Sequence, residues 1–133
     1  MRINIRAVVA GFVAALIIGI IGGSTLPYSG ATYPALVQGL SGIVGGFVAG
    51  YLAHYGTRDG MLNGFIATSI GAIVVSLALI LLGTIAEGLI AGLTVTFALV
   101  FFVLVAGIPG IVGGALGGMM ADRQDATRAK AAV

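Results

Sequence analysis

The stretch Ala7–Thr57, AVVAGFVAALIIGIIGGSTLPYSGATYPALVQGLSGIVGGFVAGYLAHYGT, contains no Asp, Glu, Lys or Arg. Gly60–Ala86 and Gly88–Ala121 share that property. The remaining charges sit between and beyond these runs: Arg2 and Arg6, Arg58 and Asp59, Glu87, and a tail from Asp122 onward. A charge at the centre of a bilayer costs about 2.5–3.5 kcal/mol on the mildest scale. No water-soluble domain needs uncharged runs this long, whereas a bilayer demands them. The first partner the sequence predicts is therefore the lipid bilayer.

Composition agrees. Hydrophobic residues make up 59 % of the 133, and charged ones only 8 %. That is the balance of a polytopic membrane protein, and the length is that of one domain. The net charge of +2 is too small and too dispersed to suggest nucleic acid; loop Lys and Arg set membrane orientation instead. With no cysteine there is no disulfide, thiolate metal site or cysteine chemistry. Arg2 and Arg6 before an apolar run could open a signal peptide, but the run Ala7–Gly23 is long and no clear cleavage site follows. It is read as a retained first span.

A span needs about 20 apolar residues. Four candidates cover about 6–23, 34–55, 60–83 and 89–121. They lack the alternation of barrel strands, and backbone groups in lipid must be satisfied within each segment, so helices are predicted. The connections Ser24–Tyr33, His54–Asp59 and Thr84–Gly88 are short, which makes neighbours antiparallel. All six basic residues fall before the first span, between the second and third, or after the fourth. Both termini are therefore expected in the cytoplasm. Residues 1–121 form a single transmembrane domain and 122–133 a charged cytoplasmic tail that continues the fourth helix.

An internal echo divides the bundle into halves. Gly42-Ile43-Val44-Gly45-Gly46 recurs as Gly110-Ile111-Val112-Gly113-Gly114, and Gly11-Phe12-Val13-Ala14 resembles Gly64-Phe65-Ile66-Ala67. The predicted fold is an all-α membrane protein: a four-transmembrane-helix bundle built from two tandem helical hairpins. Both copies start on the same side, so the repeat is parallel, with its axis along the membrane normal.

The chain has 23 glycines, many at spacing four. Gly11, Ala15, Gly19 and Gly23 form one stripe; Gly42, Gly46 and Gly50 a second; Gly110, Gly114 and Gly118 a third, with Gly113 and Gly117 beside it. Gly64, Thr68, Ala72 and Ser76 are a weaker fourth. In lipid, apolar side chains gain nothing by leaving the tails for one another, and small-residue stripes let backbones approach. The stripes are read as helix-packing surfaces, within the bundle or towards another subunit; the alternative is a narrow pore lined by small residues. Pro109, flanked by Gly107 and Gly110, predicts a kink in an over-long fourth span.

Tyr28, Tyr33, Tyr51 and Tyr55 lie at span ends, where an aromatic belt is expected. Tyr51, His54 and Tyr55, at helical spacing, could alternatively build a pore or ligand site. Gln38 and Asn63 lie near span ends as caps or bridges. No mid-span carboxylate, histidine or basic residue offers the chemistry of a coupled transporter, and no catalytic set, cofactor site or metal site is predicted.

The short basic start, Arg6-Ala7-x-x-Ala10-Gly11-Phe12, and above all Gly45–Ala53 (GGFVAGYLA) resemble small four-span membrane proteins of archaea, chiefly halophiles, grouped as a domain of unknown function. The resemblance implies a four-helix bundle and carries no assigned activity or site. Small multidrug exporters, with a first-span glutamate, and dimeric fluoride channels, with in-span arginine and asparagine, fit poorly. The first functional expectation is a non-enzymatic structural or assembly component of the cell membrane, multi-pass, forming a homo-oligomer or joining another membrane protein. The alternatives are a small passive channel or holin-like pore, and a membrane protein of an archaeal virus envelope.

Overall fold

The computed structural model describes residues 2–25 and 32–131. They form four helices: α1 (Ile5–Thr25), α2 (Thr32–Ala53), α3 (Thr57–Glu87) and α4 (Leu89–Ala131). All four are long and apolar enough to cross a membrane.

The helices run further than composition indicates. The α3 helix begins three residues before Gly60 and continues to Glu87, so the α3–α4 connection shrinks from Thr84–Gly88 to Gly88 alone. Gly88 has φ 90° and ψ 173°, and its N–H donates to the Thr84 carbonyl at 3.1 Å. That backbone conformation is essentially reserved for glycine, so one residue reverses the chain. At the other end of α3, Gly56 holds the same kind of conformation, at φ 90° and ψ 170°. The α2 helix stops at Ala53 because His54 turns to φ 53°.

At 43 residues, α4 would be about 65 Å long, twice the hydrocarbon thickness. It continues as one helix through Pro109 and through the charged tail. The tail residues 122–131 are exposed.

Packing is around a central pair. Both α1 and α4 lie against α2 and α3, and α2 and α3 touch each other, whereas α1 and α4 do not meet among the described residues. In cross-section the bundle is a diamond with α2 and α3 across its short diagonal. Its composition is inverted relative to a soluble protein. The buried apolar residues are mostly alanines, among them Ala49, Ala53, Ala67 and Ala121, while Leu16, Leu81, Phe97 and Phe101 point outward. That is the arrangement expected where the solvent is hydrocarbon and helices associate by close backbone approach.

Candidate functional site

The glycines meet backbone to backbone, chiefly around α4. A methyl group added at Gly46 would run into the backbone of Gly110, and one at Gly50 into Gly114. From the α3 side, Gly60 abuts Gly114 and Gly118, and Gly64 abuts Gly110 and Gly114. Gly113 and Gly117 lie against the α2 backbone at Ile43, Phe47 and Tyr51. Helix α4 is thus wedged between α2 and α3, with glycines at these contacts where a side chain would hold the helices apart.

The sequence-predicted packing residues distribute as follows. Gly11 faces Gly45 and Ala49 of α2. Gly42 faces Pro109, whose Cβ would lie 3.0 Å from a Cβ at Gly42; the proline ring sits in the notch that glycine leaves. Gly46, Gly50, Gly110 and Gly114 join the α2–α3–α4 contacts, and Gly118 sits against Gly56 and Thr57. Gly19 does not take part: nothing lies within 4 Å of the position its Cβ would occupy. The α1 stripe leaves α2 there, while Gly22, outside the stripe, meets Val37 of α2.

A second cluster gathers the chain's basic end. Asn63 is fully buried on α3. Its Oδ1 accepts the Asn4 N–H at 2.8 Å, and its Nδ2 donates to the carbonyls of Arg2 at 3.1 Å and Asp59 at 2.7 Å. Asn4 in turn accepts from the Ala7 N–H at 3.4 Å through its side chain, the pattern of a helix N-cap. The guanidinium of Arg2 stands 5.6 Å from the centre of the Tyr55 ring.

The proposed trio of Tyr51, His54 and Tyr55 is divided, because α2 ends before His54. Tyr51 stacks on Phe47, its ring lies beside that of His54, and it donates a hydrogen bond to Gln124 Oε1 at 2.7 Å. His54 Nδ1 is 3.8 Å from Asp125 Oδ2. Tyr55 instead turns to the N-terminal segment. These contacts tie the α4 extension to the end of α2; sequence spacing could not show them, because the partners are about 70 residues apart. Tyr28 lies outside the described residues, as does the side chain of Tyr33.

The third feature is a crevice of about 300 Å³ in the half of the bundle away from the basic residues. Phe12, Leu16 and Ile20 of α1 form one wall, and small residues of α2, α3 and α4, Ala106 among them, form the floor. It lies where Gly19 has lost its neighbour. The buried hydroxyls on its lining are occupied: Ser41 donates to the Gln38 carbonyl at 3.0 Å and Thr68 to the Gly64 carbonyl at 3.1 Å. The Gln38 side chain is exposed at the rim and makes no hydrogen bond to the described residues.

No curated protein and no solved structure matches the chain. A family model does, over residues 5–120, and so takes in all four helices. The chain belongs to that family, DUF5518, a family of unknown function.

Proposed function

We propose that the protein is a non-enzymatic structural or assembly component of a membrane, and that its copies associate with one another. The observation that carries this reading is the run of backbone contacts Gly46–Gly110, Gly50–Gly114 and Gly64–Gly110. Three helices approach so closely that a methyl group at these glycines would run into the facing backbone. In lipid such contacts provide tight van der Waals packing that larger side chains would forfeit. They favour a stiff building block over a pore along the axis of one chain. They also occupy the glycines within the bundle, so association between copies uses the outward leucines, isoleucines and phenylalanines.

The charged end faces the cytoplasm in this reading, which puts Arg2, Arg6, Arg58, Arg123, Arg128 and Lys130 on one side as loop charge requires. The two hairpins are a parallel repeat. Gly11 faces Gly45 and Ala49, whereas their counterparts at the repeat spacing, Gly113 and Gly117, lie against α2 and not α3. Gly60, which faces Gly114 and Gly118, is the nearest equivalent of Gly11, one turn from the Gly64 that the sequence echo suggests. The copies have diverged, since α2 touches α3 but α1 does not touch α4.

The test is purification in mild detergent with measurement of the oligomer mass, followed by solute flux in liposomes. The reading predicts a discrete oligomer and flux no higher than in protein-free liposomes. A monomer, or flux above that control, sinks it.

A further inference from the structure

The crevice has a chemistry of its own, independent of the structural role above. Its walls are Phe12, Leu16 and Ile20, and its floor includes Gly42, Gly71 and Ala72. Because the hydroxyls of Ser41 and Thr68 are already donated to main-chain carbonyls, the interior offers a guest little but hydrocarbon. The rim differs: it carries the amide of Gln38, which has no partner among the described residues. Gln38 lies six residues into α2, about 9 Å along the helix axis. An amide carries two donors and an acceptor, and leaving them unsatisfied away from water is costly.

A guest that satisfies both regions is apolar along its length and has a hydrogen-bonding group at one end. We propose that the crevice takes up one hydrocarbon chain of a membrane lipid, with Gln38 hydrogen-bonded to the ester, ether or hydroxyl oxygen at the head of that chain. The volume of about 300 Å³ holds on the order of ten groups the size of a water molecule, which matches a segment of a lipid tail rather than a whole lipid. The bilayer supplies this guest from the side, because the crevice is open rather than enclosed.

The experiment uses the full chain reconstituted with a phospholipid that carries a diazirine partway along one acyl chain. After irradiation, adducts are mapped by peptide mass spectrometry. The expected result is labelling of the floor segment around Gly71 and Ala72, in addition to outward residues such as Leu81 and Phe101. Gly19→Phe fills the crevice and meets nothing within 4 Å at its Cβ, so it is expected to fold and to abolish floor labelling while outward labelling persists. Gly83→Phe, equally unhindered and outside the crevice, leaves floor labelling intact. Gln38→Leu lowers floor labelling by the phospholipid roughly five- to tenfold, the effect of one lost hydrogen bond, and leaves labelling by a diazirine alkane unchanged. Floor labelling that survives Gly19→Phe overturns the proposal, as does unchanged phospholipid labelling in Gln38→Leu. Reaction of Ala72→Cys with a membrane-impermeant maleimide assigns the crevice to water and contradicts the lipid site.

Discussion

The main-chain N–H of Asn4 donates to the side-chain oxygen of Asn63 at 2.8 Å, joining the start of α1 to α3 across 59 residues of sequence. Asn63 also holds the Arg2 carbonyl, and it is fully buried while doing so. The N-terminal segment is thereby fixed where Arg2 stands over Tyr55 of the α2–α3 turn. The basic N-terminal segment is therefore part of the packed structure.

Asn63→Leu removes the acceptor for Asn4 and the donor for Arg2 together. Stranding these backbone groups is expected to cost about 1–3 kcal/mol. Thermal unfolding in detergent measures this. Asn4→Ala, which keeps the backbone bond and loses only the cap, should cost less, about 1 kcal/mol.

Gly88→Ala tests the tight α3–α4 connection. A side chain at φ 90° and ψ 173° is expected to cost about 1–3 kcal/mol. Gly83→Ala, where nothing lies within 4 Å, should be neutral or slightly stabilising within the helix. Equal unfolding temperatures for the two variants would contradict the account.

Removal of residues 122–133 deletes the Tyr51–Gln124 and His54–Asp125 contacts. Both are exposed, and such pairs contribute about 0–1 kcal/mol. The truncated chain is expected to retain its helicity and lose little thermal stability. A collapse in stability would show that the tail anchors the bundle.

Orientation is checked with single cysteines in this cysteine-free chain. Gly30→Cys should react with an impermeant thiol reagent from outside intact cells, and Thr57→Cys only after permeabilisation. The reverse pattern would invert the topology.

Helix number was legible because lipid imposes length and the absence of charge, and Ala7–Thr57 satisfies both twice over. Helix ends were less legible. The stretch Thr57–Asp59 is polar and so reads as loop, yet it forms the first turn of α3, and Gly88 alone does the work assigned to five residues. Spacing identified Gly46, Gly50, Gly110 and Gly114 as small-residue positions, but spacing cannot say which stripe meets which. Gly19 fits its stripe as well as Gly11 does and faces open space, because the geometry of α1 against its neighbours is a tertiary property. Asn63 was visible as a polar residue near a span end; its partners Arg2 and Asn4 were not, since nothing local links them.

The central claim is that backbone contact at the glycines holds the bundle together. Overpacking a close contact typically costs about 1–3 kcal/mol, and in lipid no hydrophobic gain offsets it. The direct measurement is thermal unfolding of Gly46→Leu and Gly114→Leu beside Gly19→Leu and Val100→Leu, the last at an outward-facing residue. The account predicts that the first two lose stability and the second two do not. If Gly46→Leu and Gly114→Leu unfold at the parent temperature, the glycine seam does not hold the helices, and the packing account is wrong.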